Sequence, residues 1–140
     1  MSNQIETLVR DFFNDVWNQS NIEAAGKYYA DDYVDHNPAV PGQPAGLPGA
    51  MLVFGAFKTA FPDLKHTLDQ VISTGDKVVT RYTARGTNTG SMMGVPSTGK
   101  TVTLTGIEFY RIAGGKIVER WGNFDQFGLM QQLGVIPSPT

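Results

Sequence analysis

Apolar residues recur at three- and four-residue spacing near the N-terminus and at two-residue spacing in the second half of the chain. The first set comprises Ile5, Leu8, Val9, Phe12, Phe13, Val16 and Trp17. This spacing predicts an amphipathic helix with a broad apolar face. Ser20 and Glu23 have capping-box spacing, which predicts a second, short helix that includes Tyr28 and Tyr29. The domain is therefore expected to begin with two helices.

Proline and glycine mark the next boundaries. Pro38 disfavours helical backbone at the residue before it, so His36 and Asn37 are expected in an extended or turn segment. Residues 39–49 are rich in proline and glycine and predict a loop, which is a candidate lid over a pocket. A third helix is predicted over residues 48–61.

Alternating apolar and polar residues predict β-strands in the rest of the chain. The predicted strands cover residues 64–69, 77–87, 101–112 and 117–125, with turns at 74–76 and 113–115. Met92 and Met93 are expected at the pocket mouth or at a subunit contact, and the tail 135–140 is expected on the surface. The fold class that follows is α+β, in one domain over residues 1–140. N-terminal helices pack on a strongly curved, mainly antiparallel sheet, which forms a cone with an internal pocket.

The composition of the chain argues against several classes of function, whereas it says little about the fold. The formal charge of -2, the pI near 5.6 and the lack of a Lys/Arg cluster give no basis for nucleic-acid binding. The chain has no cysteine and its two histidines lack metal-site spacing, so neither thiol chemistry nor a metal is expected. The first residues do not resemble a signal peptide, and no apolar run approaches the roughly 20 residues of a membrane span. A cytoplasmic protein without membrane association is expected.

The strongest candidate for chemistry is Asp125, at the end of the last predicted strand. Period-two alternation places five residues on one face of this strand: Ile117, Glu119, Trp121, Asn123 and Asp125. If this face is the concave one, Asp125 lies beside the Trp121 indole. Partial loss of hydration would then make its carboxylate a stronger base.

Asp125 also suits an alternative role as a helix cap. Phe127, Met130 and Leu133 have helical spacing, and Gly134 is a suitable residue just after a helix end. This pattern predicts a helix over residues 126–133 that Asp125 caps. Both roles stay open, and they compete for the same carboxylate oxygens.

Polar residues elsewhere in the chain are candidates for the same site. Asn37 and Asn123 are candidate hydrogen-bond donors to an enolate oxygen, although Asn37 also suits a turn before a proline. His36 is a candidate donor or second acid, and it equally suits a structural hydrogen bond.

Glu108 interrupts an apolar run in the third predicted strand. A buried carboxylate needs a partner or a proton, so Glu108 is either a second functional acid or half of an ion pair with Arg81 or Arg111. The remaining candidates for substrate contact are Trp121, His66, Tyr33, Tyr82 and Phe54.

Six motifs occur in the order found in one known family. They are DHNP (35–38), FPDL (61–64), GTNTG (86–90), PSTGK (96–100), GKIVERW (115–121) and D-x-x-G-L (125–129). On these motifs the chain resembles the SnoaL-like polyketide cyclases, also called ester cyclases, of the nuclear transport factor 2-like superfamily. The resemblance implies the cone fold, no cofactor, a hydrophobic polyketide-like substrate and a homo-oligomer. Val118 and Phe124 are candidate contacts on a sheet face that often dimerises in such folds.

The resemblance also implies a reaction, an intramolecular aldol condensation of a polyketide ester. An aspartate removes a proton from carbon between carbonyls, and the enolate closes a ring. By position, Asp125 matches the acid/base of the family and Asn37 matches a pocket residue. The chain departs from the family pattern at Asn88, where histidine is expected, and at Ser97, where proline is common.

Two other functions stay open on the same cone. One is an isomerase or an epoxide hydrolase. The hydrolase would use Asp125 to activate water and would need a second carboxylic acid and an arginine around one water molecule, for which Glu108 with Arg81 or Arg111 is the available set. A non-catalytic ligand-binding or dimerisation module would use Asp125 only as a cap.

Overall fold

The chain begins with helices, and a strand, a helix, four consecutive strands and a last helix follow, in a computed structural model that describes residues 2–92 and 94–137. The helical elements are α1 (Ser2–Phe12), a π-helical continuation (Phe13–Asn18), a 3-10 helix (Ile22–Lys27), α2 (Gly46–Ala60) and α3 (Gln126–Leu133). The strands are β1 (Tyr29–Asp35), β2 (Lys65–Thr74), β3 (Lys77–Thr87), β4 (Thr101–Ala113) and β5 (Lys116–Phe124). No helix in this described part is long and apolar enough to cross a membrane.

The strands form one sheet in the order β1-β5-β4-β3-β2. The pairs β2–β3, β3–β4 and β4–β5 are antiparallel, whereas β1 pairs with β5 in parallel. Tight turns join β2 to β3 and β4 to β5, whereas a loop over residues 88–100 joins β3 to β4. The antiparallel order of these consecutive strands is the one that the alternation and the turn residues predict. The predicted α+β class is confirmed.

Strand β1 is the one element that the pattern assigned wrongly. Tyr29 was expected in a helix, but it begins β1, and the backbone N–H of Ile117 donates to the Tyr28 carbonyl at 2.7 Å. The buried residues of β1 are Tyr29 and Tyr33, because the register shifts between Tyr29 and Val34. A four-residue interval between buried positions is the spacing of a helix, so local pattern could not identify this strand.

The core lies between the inner face of the sheet and the helices. The Phe12 ring of α1 packs against Tyr29, Phe54 and Tyr110 with centroid distances of 5.0, 5.6 and 6.2 Å. Tilted and edge-on aromatic pairs of this kind contribute about 0.5–1.5 kcal/mol each beyond their buried area. Along β4, the even-numbered residues Val102 to Ile112 face this core, and the odd-numbered ones face outward.

A β-bulge in β5 reverses the face on which most of that strand's side chains lie. Arg111 pairs with Glu119, but the next residue, Ile112, pairs with Ile117, which leaves Val118 as the extra residue. Ile117 is therefore buried, whereas Trp121 lies opposite Phe109 on the outer face of the sheet.

Two predictions for β5 are wrong because of this bulge. The face shared by Trp121, Asn123 and Asp125 is the outer face, not the concave one, and Ile117 does not belong to it. Phe124, a candidate exposed contact, instead faces inward and packs edge-on against Phe57 at 5.6 Å.

The loop before β4 is ordered by Asn88, one of the two residues that depart from the family motifs. Its side-chain oxygen accepts from the Thr98 backbone N–H at 2.8 Å, and its amide nitrogen donates to the Gly90 carbonyl at 2.8 Å. Met92, in the same loop, is buried, so it is not an exposed contact. Met93 and residues 138–140 lie outside the described residues, and the predictions made for them are untested.

Candidate functional site

Two concave regions divide the predicted site residues between them. A narrow chamber of about 30 Å³ lies between the sheet and the helices, and Glu108, Tyr33 and Phe54 line it. An open depression of about 520 Å³ lies on the outer side of the sheet. The predicted residues that line this depression are Asn37, Tyr82, Trp121, Asn123 and Asp125. The Tyr82 ring itself lies on the inner face of the sheet, against the rings of Phe13 and His66. The sequence predicted one pocket, so it merged residues from the two faces of the sheet.

An arginine between two carboxylates forms the polar centre of the chamber. Nη2 of Arg120, from β5, lies 2.9 Å from both carboxylate oxygens of Glu108, from β4. Nη1 of Arg120 lies 2.8 Å from Oδ1 of Asp35, at the end of β1. All three side chains are largely buried. Three strands therefore each contribute one charged group to the chamber.

The predicted arginine partners of Glu108 were wrong. Arg81 lies on the outer face, 3.8 Å from Asp69, and Arg111 forms an ion pair with Glu119 on that same face. Without knowledge of the bulge in β5, Arg120 would also be placed outside the core.

The chamber favours a protonatable carboxylate at Glu108. Burial raises the pKa of Glu108 above its ordinary value, against the lowering effects of the Arg120 charge and hydrogen bonds. The Arg120 guanidinium stays charged, because the attraction of Glu108 raises its pKa even though burial lowers it. With both carboxylates ionised, the cluster carries one net negative charge in a largely dehydrated site.

Four buried tyrosines lie around this cluster, and their hydroxyls are candidate hydrogen-bond donors. They are Tyr29, Tyr33, Tyr82 and Tyr110. Burial raises the pKa of each one well above its ordinary value, so each keeps its proton at neutral pH. The Tyr33 hydroxyl lies 3.4 Å from Oδ2 of Asp35. These donors are the kind of group that stabilises a developing oxyanion.

A loop closes the chamber on the side of β1. The Gln43 amide donates to Oδ2 of Asp35 at 3.1 Å, and the Asn37 backbone N–H donates to Oδ1 at 3.0 Å. Ala39 lines the chamber from this loop. Outside the loop, a surface groove of about 470 Å³ shares Tyr33 and Asp35 with the chamber. Residues 39–45 form the predicted loop, whereas residues 46–49 belong to α2. The role of this loop as a lid stays a prediction.

His66 lies behind the chamber, and it does not line the cavity. The Trp17 ring lies 4.6 Å from the His66 ring and forms part of the chamber wall on its other side. Burial lowers the pKa of His66 from 6.5 to about 3, so the imidazole is neutral. Its Nδ1 is buried without a hydrogen-bond partner among the described residues.

Asp125 lies on the exposed side of the sheet and caps α3. Its Oδ1 accepts the Gly128 backbone N–H at 2.9 Å, and Gly134 ends the helix with a left-handed backbone. The capping prediction is confirmed. The catalytic role of Asp125 stays a prediction, although the indole wall that was expected to dehydrate it is an open surface.

The other two predicted catalytic residues stand at the rim of the depression. The His36 ring stacks on Trp121 at 4.6 Å with an interplanar angle of 4°, and its Nε2 lies 2.8 Å from Glu119. The side-chain oxygen of Asn37 accepts the Gly122 backbone N–H at 2.9 Å. Both residues fix the turn that leads from β1 into the lid.

Comparisons with known proteins agree with the fold and point to one family. The model of the SnoaL-like polyketide cyclase family matches residues 7–133. A search of curated proteins found no match.

Among the described residues, no three His, Cys, Asp or Glu side chains are grouped so as to hold a metal ion.

Solved structures resemble the chain along nearly all of its length. TsrD from Streptomyces laurentii is 26% identical with a TM-score of 0.87, and the match covers 97% of this chain and 98% of TsrD. IdmH, a candidate polyketide cyclase from Streptomyces antibioticus, is 32% identical with a TM-score of 0.80 and coverage of 94% and 99%. AclR, a candidate hydroxylase from Streptomyces galilaeus, is 25% identical with a TM-score of 0.85 and coverage of 100% and 86%.

Proposed function

Because the chain belongs to the SnoaL-like polyketide cyclase family, we propose that it closes a ring in a hydrophobic, polyketide-like ester without a cofactor. A carboxylate removes a proton from carbon between two carbonyls, and the resulting enolate attacks a third carbonyl of the same molecule. The new alkoxide then takes up a proton. The observation that carries this proposal is the buried Glu108–Arg120–Asp35 cluster inside an aromatic chamber.

Glu108 is the better placed of two candidate bases. It is buried, and the net effect of its surroundings raises its pKa, which makes it a stronger base than an ordinary glutamate. Asp125 is exposed, and one of its oxygens holds the first turn of α3. Asp125 remains the rival that the family resemblance suggests.

The tyrosine hydroxyls support the second half of the reaction. An enolate oxygen needs donors that are already in place, because the site must not reorganise as charge develops. The Tyr110 and Tyr33 side chains line the chamber next to Glu108 and Asp35. The aromatic walls from Phe12, Trp17 and Phe54 suit an apolar substrate.

The lid must open before such a substrate enters. A cavity of about 30 Å³ holds only one or two water molecules. Opening residues 39–45 would break the Gln43–Asp35 hydrogen bond and join the chamber to the surface groove. Loops of this kind exclude water again when they close.

Epoxide hydrolysis is a second candidate, favoured by the same cluster. Two carboxylates and a guanidinium around a water-sized cavity can activate one water molecule and protonate the leaving oxygen. Water then adds across one carbon–oxygen bond, and the products differ from those of ring closure. This reaction requires an arginine beside the two carboxylates. Arg120 lies there, whereas Arg81 and Arg111 lie on the outer face of the sheet.

Glu108→Gln and Asp125→Asn form a matched pair that tests the proposal. Both variants keep the shape of the side chain and remove the base, and asparagine remains a good helix cap. We expect Glu108→Gln to lower the turnover of a β-dicarbonyl polyketide ester by about 100-fold or more, and Asp125→Asn to leave it nearly unchanged. Thermal melting of both variants checks that the fold is retained.

The other outcomes are equally informative. Loss of turnover only in Asp125→Asn would reject Glu108 as the base and favour Asp125. Turnover of an epoxide, but not of the ester, would favour the hydrolase. Binding of the ester without turnover by wild type would favour a non-catalytic ligand-binding module.

A further inference from the structure

Two glycines on the inner face of the sheet lie directly beneath the polar ends of two larger side chains. A Cβ atom added to Gly122 of β5 would lie 1.6 Å from Oε2 of Glu108. A Cβ atom added to Gly106 of β4 would lie 2.4 Å from the hydroxyl oxygen of Tyr82. Both distances are far below van der Waals contact. The Glu108 carboxylate and the Tyr82 hydroxyl therefore fill the spaces that these glycines leave.

The two filled spaces are neighbours. Glu108 pairs with Gly122 across β4 and β5, and Gly106 lies two residues from Glu108 on the same strand and face. Tyr82 pairs with Gly106 across β3 and β4, so its side chain crosses β4 just as that of Glu108 crosses β5. Diagonal neighbours on one sheet face are about 7–8 Å apart, which one small substrate can span.

Both glycines are dispensable for backbone conformation. Neither has a positive φ angle, in contrast to Gly114 and Gly134, for example. Glycine in a strand interior weakens the strand, and it often marks a place where another group approaches the backbone closely. Here the approaching groups are the Glu108 carboxylate at Gly122 and the phenol end of Tyr82 at Gly106.

We propose that Gly122 and Gly106 are positioning residues that set Glu108 and Tyr82 side by side as a base and an oxyanion donor. This inference rests on the proposed function. Glu108 removes the proton from carbon, and the Tyr82 hydroxyl donates a hydrogen bond to the enolate oxygen that forms. Tyr82 is thereby a catalytic residue in addition to Glu108.

The charge around Glu108 explains why its exact placement matters. The groups that face it are Arg120 of β5, Asp35 of β1, and the hydroxyls of Tyr29, Tyr82 and Tyr110. The helices contribute apolar walls here, through Phe12 and Phe54. A methyl group at position 122 would also lie 2.9 Å from Nη2 of Arg120. It would therefore displace both the Glu108 carboxylate and the Arg120 guanidinium and weaken their ion pair.

Gly122→Ala tests the placement of Glu108 without the need for activity. The chain has four glutamates, so ¹³C labelling of the side-chain carboxyl carbons permits each one to be titrated by NMR. We expect the variant to raise the titration midpoint of Glu108 by about one pH unit or more, because burial persists while the contacts with Arg120 weaken. Gly55→Ala is the control, since a Cβ atom there meets nothing within 4 Å.

Tyr82→Phe and Gly106→Ala test the donor. Both remove the hydroxyl from its position, so we expect each to lower kcat for the ester by about 100-fold with little change in KM. The double variant should lose no more than either single variant, because both act on one hydrogen bond.

Combining Gly122→Ala with Glu108→Asp provides a second variant if Gly122→Ala folds poorly, since the shorter side chain withdraws from the added methyl group.

Distinct results separate this inference from the proposed function. If wild type has no turnover, the proposed function fails, but a shifted Glu108 titration in Gly122→Ala still supports the positioning role. An unshifted titration overturns that role whether or not the enzyme is active. Full turnover in Tyr82→Phe, in an active enzyme, overturns the donor role.

Discussion

His66 shows how much a single buried side chain can change the response of the fold to pH. The rings of Phe13, Trp17 and Tyr82 surround it with centroid distances of 5.6, 4.6 and 5.0 Å. In the unfolded chain His66 binds a proton below about pH 6.5. In the folded protein its pKa is lowered to about 3, mainly by burial. The unfolded state therefore binds more protons between these two pKa values, and stability must fall as the pH drops through this range.

We expect His66→Phe to remove that dependence. Phenylalanine fits a box of aromatic rings, and the bonds from Asn18 reach only the backbone of residue 66. Wild type should lose up to about 1.4 kcal/mol of unfolding free energy per pH unit below pH 6.5 from this group, and the variant should not. Urea unfolding at about pH 7.5 and about pH 5 measures the difference. His36→Phe, which changes the exposed histidine, is the control, and equal pH dependence in wild type and His66→Phe would refute the explanation.

At the scale of elements, α3 depends on the Asp125 cap. Asp125→Ala leaves the Gly128 N–H without its partner, so we expect a loss of about 1 kcal/mol in unfolding free energy, within a range of about 0.5–2. Asp125→Asn should cost only a few tenths of a kcal/mol. Denaturant unfolding of the two variants measures this difference. A similar loss in both would mean that the charge of Asp125, rather than its hydrogen bond, stabilises α3.

The bulge in β5 explains where sequence reasoning succeeded and where it failed. Alternation in β3 and β4 continues without interruption, so the buried faces that it predicts are the observed ones. In β5 one extra residue shifts the alternation, and no residue type in GKIVERW marks the shift. Local pattern therefore placed Arg120 on the wrong face of the sheet. It also assigned Trp121 and Asp125 to the inner chamber, whereas both residues line the outer depression. Such a bulge is decided by pairing with β4, which is a tertiary contact.

At the scale of the whole molecule, the helices and antiparallel strands were predictable because their caps, turns and periodicities are local. The α+β class and the Asp125 cap both came from such features. The parallel strand β1 and the charged chamber were not predictable, because they join segments 85 residues apart, as in the contact between Arg120 and Asp35. The cluster combines strands β1, β4 and β5, and it exists only after the sheet has formed.

The central claim is that the working site is the inner chamber and not the outer depression. The most direct measurement is the location of a bound, non-reactive analogue, a β-dicarbonyl ester with two methyl groups on the carbon between its carbonyls, by protein–ligand NOEs. We predict NOEs from this analogue to the rings of Phe54 and Tyr110. NOEs to Phe109 and Trp121 instead, with none to the chamber, would contradict the claim.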